Sequence, residues 1–146
     1  MFRYKVYQGV PEKERLTQIY RLYEEIFQVP STYVEERIEK VEQLLVLCAF
    51  DGEQLVGFKI GYEEKSDEFY SWIGGVHPNY RKKGIGTELM NMQHRMLIEQ
   101  GYKTVLTKTK NKWRNMLILN LRHGFDIIGT YTDSKGEPKI ILRKSL

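Results

Sequence analysis

Residues 79–86 read NYRKKGIG, and they hold the clearest chemical potential in the chain. Arg81, Lys82 and Lys83 are consecutive cations, and Gly84 and Gly86 follow with one residue between them. An apolar run precedes this turn and a helix-like pattern follows it. A helix N-terminus leaves backbone N–H groups unpaired and carries partial positive charge. Glycines let that backbone approach a ligand without a Cβ in the way. Such a turn suits phosphate, and the cations add attraction that needs no strict geometry. Two familiar phosphate turns are excluded. The dinucleotide fingerprint requires a third glycine where Leu89 stands, and a nucleotide P-loop requires Gly-Lys-Ser/Thr after four residues. A different pyrophosphate is the ligand class that remains. The bland alternative is a solvated turn that only starts a helix.

The other reactive residue types offer less. Cys48 is the single cysteine, so no intramolecular disulfide can form. It lies within LLVLCAF, where a small buried hydrophobe is expected. His77, His94 and His123 have no metal-ligand spacing and no H-E-x-x-H frame, so no metal is expected. The helical pattern assigns His94 to the polar side of its helix. It assigns His123 to a helix end, where a cation suits the dipole.

Length and charge bound the answer. A chain of 146 residues argues for one domain spanning 1–146. The net charge of +4 favours anionic partners, either nucleic acid or a phosphorylated cofactor. Further cations stand at Lys103, Lys108, Lys110, Lys112 and Arg114. No RNA-recognition sheet motif or helix-turn-helix pattern accompanies them, so a nucleic-acid partner is not expected. No apolar run approaches the ~20 residues of a membrane span, and the N-terminus lacks a signal-peptide core. A cytoplasmic protein without membrane association is the expectation.

These residues need elements to position them. Residues 2–8 alternate and read as a strand. Pro11 opens a helix with Leu16, Ile19, Tyr23, Ile26 and Phe27 on one face, and Pro30 stops it. Thr32 and Glu35 fit a capping box for a second helix, with Val34, Ile38, Val41 and Leu45 at helical spacing. Residues 44–50 form a continuous apolar run ending at Asp51-Gly52, which predicts a buried strand and a turn. Residues 54–62 are its hairpin partner, and 69–76 a third strand. A helix after Gly84 places Ile85, Leu89, Met92 and Met96 together, with Gly101 as its stop. A strand over 103–109, a helix over 113–123 ending at Gly124, and strands over 125–131 and 139–144 complete the chain. The order is β-α-α-β-β-β-α-β-α-β-β. It predicts an α/β (α+β) fold with a mixed, mainly antiparallel sheet flanked by helices. Strand, glycine turn, helix and strand over 69–109 predict one right-handed crossover between parallel strands.

With these residues in place, VHPNYRKKGIG resembles the acetyl-CoA signature of the GNAT superfamily of N-acetyltransferases, whose core is R/Q-x-x-G-x-G/A. The core falls on Arg81, Lys82, Lys83, Gly84, Ile85 and Gly86, and Val76, Pro78 and Tyr80 match its flank. MLILNLRHGF resembles the family's second helix, which ends in Gly-Phe, here Gly124-Phe125. The element order is similar to the GNAT fold through the whole chain. The resemblance implies acetyl-CoA as cosubstrate, with the amides of 82–87, Thr87 included, around its pyrophosphate. It implies a strand that splays from its parallel neighbour and holds the pantetheine arm along Gly74, Gly75 and Val76. The family's cofactor-contacting asparagine near the start of that second helix falls here at Trp113, so Asn111 or Asn115, which flank it, is the substitute, and Asn120 is a further expected contact. The reaction implied is direct acetyl transfer, in a ternary complex, to a primary amine of a small molecule or peptide. Family members often pair, so a homodimer is a further expectation.

The proton transfers are where this chain departs from the resemblance. An amine of pKa ~10.4 needs a base or a desolvating site before it can attack. The family's tyrosine acid, five residues before the Gly-Phe phenylalanine, corresponds here to Asn120. Asparagine cannot act as an acid, though it can donate a hydrogen bond to the thioester sulfur. Tyr131, solvent or no acid at all stay open. Glu68, Tyr70 and His77 are the candidate bases. Tyr20, Tyr23, Phe27, Tyr33, Tyr70 and Trp72 either line an acceptor groove or pack the core. A catalytically silent CoA-binding regulator and a basic nucleic-acid-binding module are the competing readings.

Overall fold

A computed structural model describes residues 1–146. The elements are β1 (Arg3–Gln8), α1 (Lys13–Phe27), α2 (Thr32–Arg37), β2 (Leu45–Asp51), β3 (Gln54–Lys65) and β4 (Glu68–Val76). A 3-10 turn (Pro78–Tyr80) leads to α3 (Ile85–Glu99), β5 (Thr104–Lys110), α4 (Arg114–Arg122), β6 (Asp126–Thr132) and β7 (Pro138–Ser145). The seven strands form one sheet in the order β1-β2-β3-β4-β5-β7-β6. Every neighbouring pair is antiparallel except β4–β5. That is the mixed, mainly antiparallel architecture the sequence predicts. No helix is long and apolar enough to cross a membrane.

Helices cover both faces of the sheet, which is why β2 is apolar throughout rather than alternating. On one face Ile19 and Leu22 of α1, with Val34 and Ile38, pack on Phe50, Phe58 and Ile60. On the other, Ile85, Leu89, Met90 and Leu97 of α3 pack on Leu47, Val56, Phe69, Val105 and Leu142. Cys48 is fully buried, and burial pushes its thiol up to about 12, consistent with an inert core residue. Gly101 and Gly124 take φ of 89° and 91° just past α3 and α4, the left-handed stops expected of them.

Three local expectations are overturned. The second helix does not run to Leu45. It ends at Arg37, Gln43 turns the chain at φ 53°, and Leu44 and Leu45 lead into the sheet. Leu45 pairs with Gln8 and Gly61 at once, and strand pairing on both sides outweighs continued helical spacing. The helix is preceded by Ser31, whose hydroxyl donates to Glu35 Oε2 at 2.6 Å, so Thr32 is its first residue rather than its cap. His94 is not on a polar helix side. It is 6 % exposed, because β7 and Phe125 close over that side of α3.

Candidate active site

The parallel pair is the key to the site. Pairing of β4 with β5 runs from Glu68↔Thr104 to Ser71↔Thr107 and stops. Beyond that point β4 stays with β3 as far as Val76↔Gly57, and β5 stays with β7 as far as Lys110↔Lys139. The strands therefore open into a wedge. Ser71 and Thr107 form its apex, tied by a 2.9 Å bond from Thr107 Oγ1 to the Ser71 carbonyl. Residues 72–76 and 108–110 form its walls. A register shift opposite Ile60/Gly61 leaves Trp72 as an extra residue in β4. Such a bulge bends its strand away from the partner. At Gly75 a Cβ would lie 3.0 Å from Ile26 Cδ1, so a larger residue would push the end of α1 off this wall.

The basic turn sits at the mouth of the wedge. Lys82 and Gly84 adopt φ of 62° and 83°, and Gly84 is the N-cap of α3. Arg81 Nε donates to the Val76 carbonyl at 3.2 Å, folding the turn back on β4. Glu88 is the first amide here to reach a backbone carbonyl, that of Gly84 at 3.0 Å. The amides of residues 82–87 have no such partner and gather at the positive end of α3. Gly86 faces α4 and β4, since a Cβ there would lie 3.6 Å from Leu119 and 3.9 Å from Val76. Ile85 anchors the first turn in the core, while Lys82 and Lys83 are exposed and lack a carboxylate partner.

Helix α4 contributes one buried residue, Asn120, at 2 % exposure. Its carbonyl accepts from the amides of His123 and Phe125 at 3.1 and 3.0 Å, closing the helix end. Asn111 and Asn115 are exposed near the start of that helix. Between them Trp113 meets Phe27 of α1 edge-on at 5.6 Å, so α1 and the start of α4 touch across the wedge.

The α1/α2 face of the sheet carries an aromatic wall. Tyr62 packs edge-on against Tyr70 and Trp72 at 5.4 and 5.7 Å, and Tyr33 against Trp72 at 6.1 Å. Lys108 lies 5.6 Å from the Tyr70 ring and 5.8 Å from that of Tyr131. Burial, with the neighbouring tyrosines and Glu64, raises the Tyr70 phenol, which therefore stays protonated at neutral pH. Glu68 stands at the closed end of the β4–β5 ladder rather than at the wedge. Its Oε2 accepts from Thr104 Oγ1 and Arg143 Nε, both at 2.9 Å. His77 is held between Glu25, 3.0 Å from Nε2, and the Asn79 amide, which donates to Nδ1 at 3.1 Å.

One residue at the wedge escapes sequence reasoning. Lys59 of β3 pairs with Gly74, and its Cγ lies 3.5 Å from where a Gly74 Cβ would be. The stem thus crosses β4 beside the open edge. Lys59 makes no side-chain hydrogen bond or ion pair, and burial lowers its ammonium to about 8. The available signal was a lone cation in QLVGFKIGY with apolar residues on both sides.

Comparison with known proteins gives a family and a fold. The model of the Acetyltransferase (GNAT) family matches residues 14–125. No curated protein matches the sequence. Among solved structures, the chain is similar to the ribosomal-protein-S18-alanine N-acetyltransferase from Escherichia coli. That match has a TM-score of 0.80 and 18 % identity over 98 % of this chain and 94 % of the other. It is similar to an aminoglycoside 6′-N-acetyltransferase complexed with coenzyme A, with a TM-score of 0.77 and 16 % identity over 97 % and 96 %. It is also similar to the PaiA N-acetyltransferase from Thermoplasma acidophilum in complex with coenzyme A, with a TM-score of 0.74 and 14 % identity over 99 % of both chains.

Proposed function

The chain belongs to the acetyltransferase (GNAT) family, and on that premise we propose that it moves an acetyl group from acetyl-CoA to a primary amine by direct transfer in a ternary complex. The observation that carries this reading is the wedge between β4 and β5 with the unpaired amides of 82–87 at its mouth. A pyrophosphate needs several N–H donors and positive potential, and a helix N-terminus supplies both. Arg81, Lys82 and Lys83 add charge around it. The unpaired β4 edge along Gly74, Gly75 and Val76 suits an extended arm whose amides need main-chain partners. A β4 amide near the Trp72 bulge would donate to the carbonyl oxygen as charge develops there, an interaction worth about 3–4 kcal/mol in comparable oxyanion sites.

The wedge opens to both faces of the sheet. The cosubstrate enters from the α3/α4 side, and the acceptor amine meets it from the aromatic α1/α2 side. A small-molecule or peptide amine fits this arrangement, and with both reactants held at one gap no acyl-enzyme is required. Asn120 donates a hydrogen bond near the sulfur, and Tyr70, being protonated, serves as a donor rather than a base.

Two measurements test this reading. Acetyl-CoA is expected to raise the melting temperature, and thiol is expected to be released when an amine panel is added. Stabilisation by acetyl-CoA with no thiol from any amine would favour the silent regulator. Gly86→Glu is expected to abolish cofactor binding, because its carboxylate would enter the anion cradle. The apo fold should survive, since the Cβ position has only ordinary contacts. Undiminished affinity in that variant would remove the turn from the site.

A further inference from the structure

Below the wedge, between α3 and the sheet, the apolar core gives way to a polar pocket. Gln93 is fully buried; its Nε2 donates to Ser71 Oγ at 3.4 Å, and its Oε1 has no partner. Ser71 belongs to the last β4–β5 pair, so this amide marks the wedge apex. His94 lies one residue on. Lys144 Nζ donates to its Nδ1 at 3.1 Å, and its buried Nε2 has no partner. Lys59 reaches the same region from β3, across Gly74, close enough for its charge to act on His94. The titratable groups of the packed elements here are His94 of α3, which feels the Lys59 charge, and Lys144 of β7, which is bonded to that histidine. The facing residues of β2, β4 and β5, namely Leu47, Ser71, Gly74 and Thr107, carry no charge. No carboxylate answers the ammonium. A half-buried cation that its surroundings desolvate and no carboxylate pairs is costly, and three features together, the cation, the orphan amide oxygen and the open strand edge, point to a polar group arriving through the wedge.

We propose that Lys59 faces the sulfur of the bound thioester and gives it a proton as the C–S bond breaks. This rests on the acetyl-CoA reading above. The acceptor nitrogen bonds to the carbonyl carbon, the C–S bond breaks with its electron pair on sulfur, and that sulfur takes the Lys59 proton. The acceptor nitrogen sheds its own proton to solvent, and solvent returns one to Lys59. Lys59 therefore supplies what Asn120 cannot. A thiol titrates at ~8.5 when free, and burial lowers Lys59 to about 8. Donor and leaving group are matched, the condition under which acid catalysis at neutral pH is most effective.

The test needs no acceptor. The complex with CoA is titrated by thiolate ultraviolet absorbance in wild type, Lys59→Met and Lys59→Arg, with desulfo-CoA affinity as the control for an intact cleft. In wild type the bound thiol is expected to titrate about 1–3 pH units below the free thiol, as an opposite charge at contact demands. Lys59→Met is expected to return it to the free value or above, and Lys59→Arg, which keeps the charge, to hold it low. In transfer assays Lys59→Arg would then lose the alkaline decline that deprotonation of Lys59 causes in wild type. An unshifted thiol in the wild-type complex, or the same shift in Lys59→Met, overturns the assignment while leaving cofactor binding intact. If Lys59→Met does not fold, the wild-type titration and Lys59→Arg decide the matter by themselves. Wild-type protein that binds neither CoA nor desulfo-CoA would instead overturn the acetyltransferase reading itself.

Discussion

Acidification should expose the buried histidine on α3. His94 is 6 % exposed, and its pKa is lowered from 6.5 to about 3, first by burial and then by the charges of Lys144, Lys59 and His123. Lys144 donates to Nδ1, so the neutral ring keeps its proton on the unpartnered Nε2. Unfolded chains bind a proton at this residue below about pH 6.5, and folded chains do so only near 3. Stability is therefore unaffected above the upper value and falls through the window between the two. At 1.36 kcal/mol per pH unit, the loss by about pH 4.5 is about 2–3 kcal/mol. Asp133 and Glu137 also have lowered pKa values, from backbone amides and from Lys110 respectively, and their losses occur at acid pH in any variant. His94→Leu isolates the histidine. Near pH 7 it should lie within about 1 kcal/mol of wild type, because it removes both a hydrogen bond and an orphan donor. Urea unfolding of both proteins near pH 7 and near pH 4.5 gives the double difference. A value below about 1 kcal/mol would refute the claim that this ring stays neutral in the fold. Neutrality also matters to the site, since a charged His94 would place another cation beside Lys59.

Two further substitutions probe the walls of the site. Gly61→Ala should cost about 1–3 kcal/mol in urea unfolding, because its Cβ would meet the Phe69 ring and lie 2.5 Å from the Tyr70 carbonyl; an unchanged midpoint would mean that β3 and β4 separate more easily than this packing implies. Asn120→Ala should weaken acetyl-CoA about five- to tenfold by calorimetry, the loss of one hydrogen bond, and leave desulfo-CoA unaffected; equal loss for both would assign Asn120 to packing alone.

Much of the architecture could be read from local pattern. The basic glycine turn, the strand before it and the helix after it fall where spacing predicts, because glycine conformation and helix periodicity are local properties. Gly84, Gly101 and Gly124 all take the positive φ that their places in the sequence imply. Local pattern misleads where a long-range partner competes. Val34, Ile38, Val41 and Leu45 keep helical spacing, yet Leu45 joins the sheet because β1 and β3 offer it backbone partners from far along the chain.

The sequence by itself determined the element order, the basic glycine turn at the start of α3 and the family, since each depends on which residues are neighbours in the chain. Only the tertiary structure decided the state of the ionisable groups. Glu68, a candidate base on sequence grounds, is taken up by Arg143, 75 positions away, at 2.9 Å. Lys59 looks like one polar residue in a strand until Gly74 lies under its stem, its charge reaches His94 and no carboxylate pairs it. Desolvation and pairing depend on neighbours in space, and the parting of β4 from β5 above Ser71 decides which residues those neighbours are.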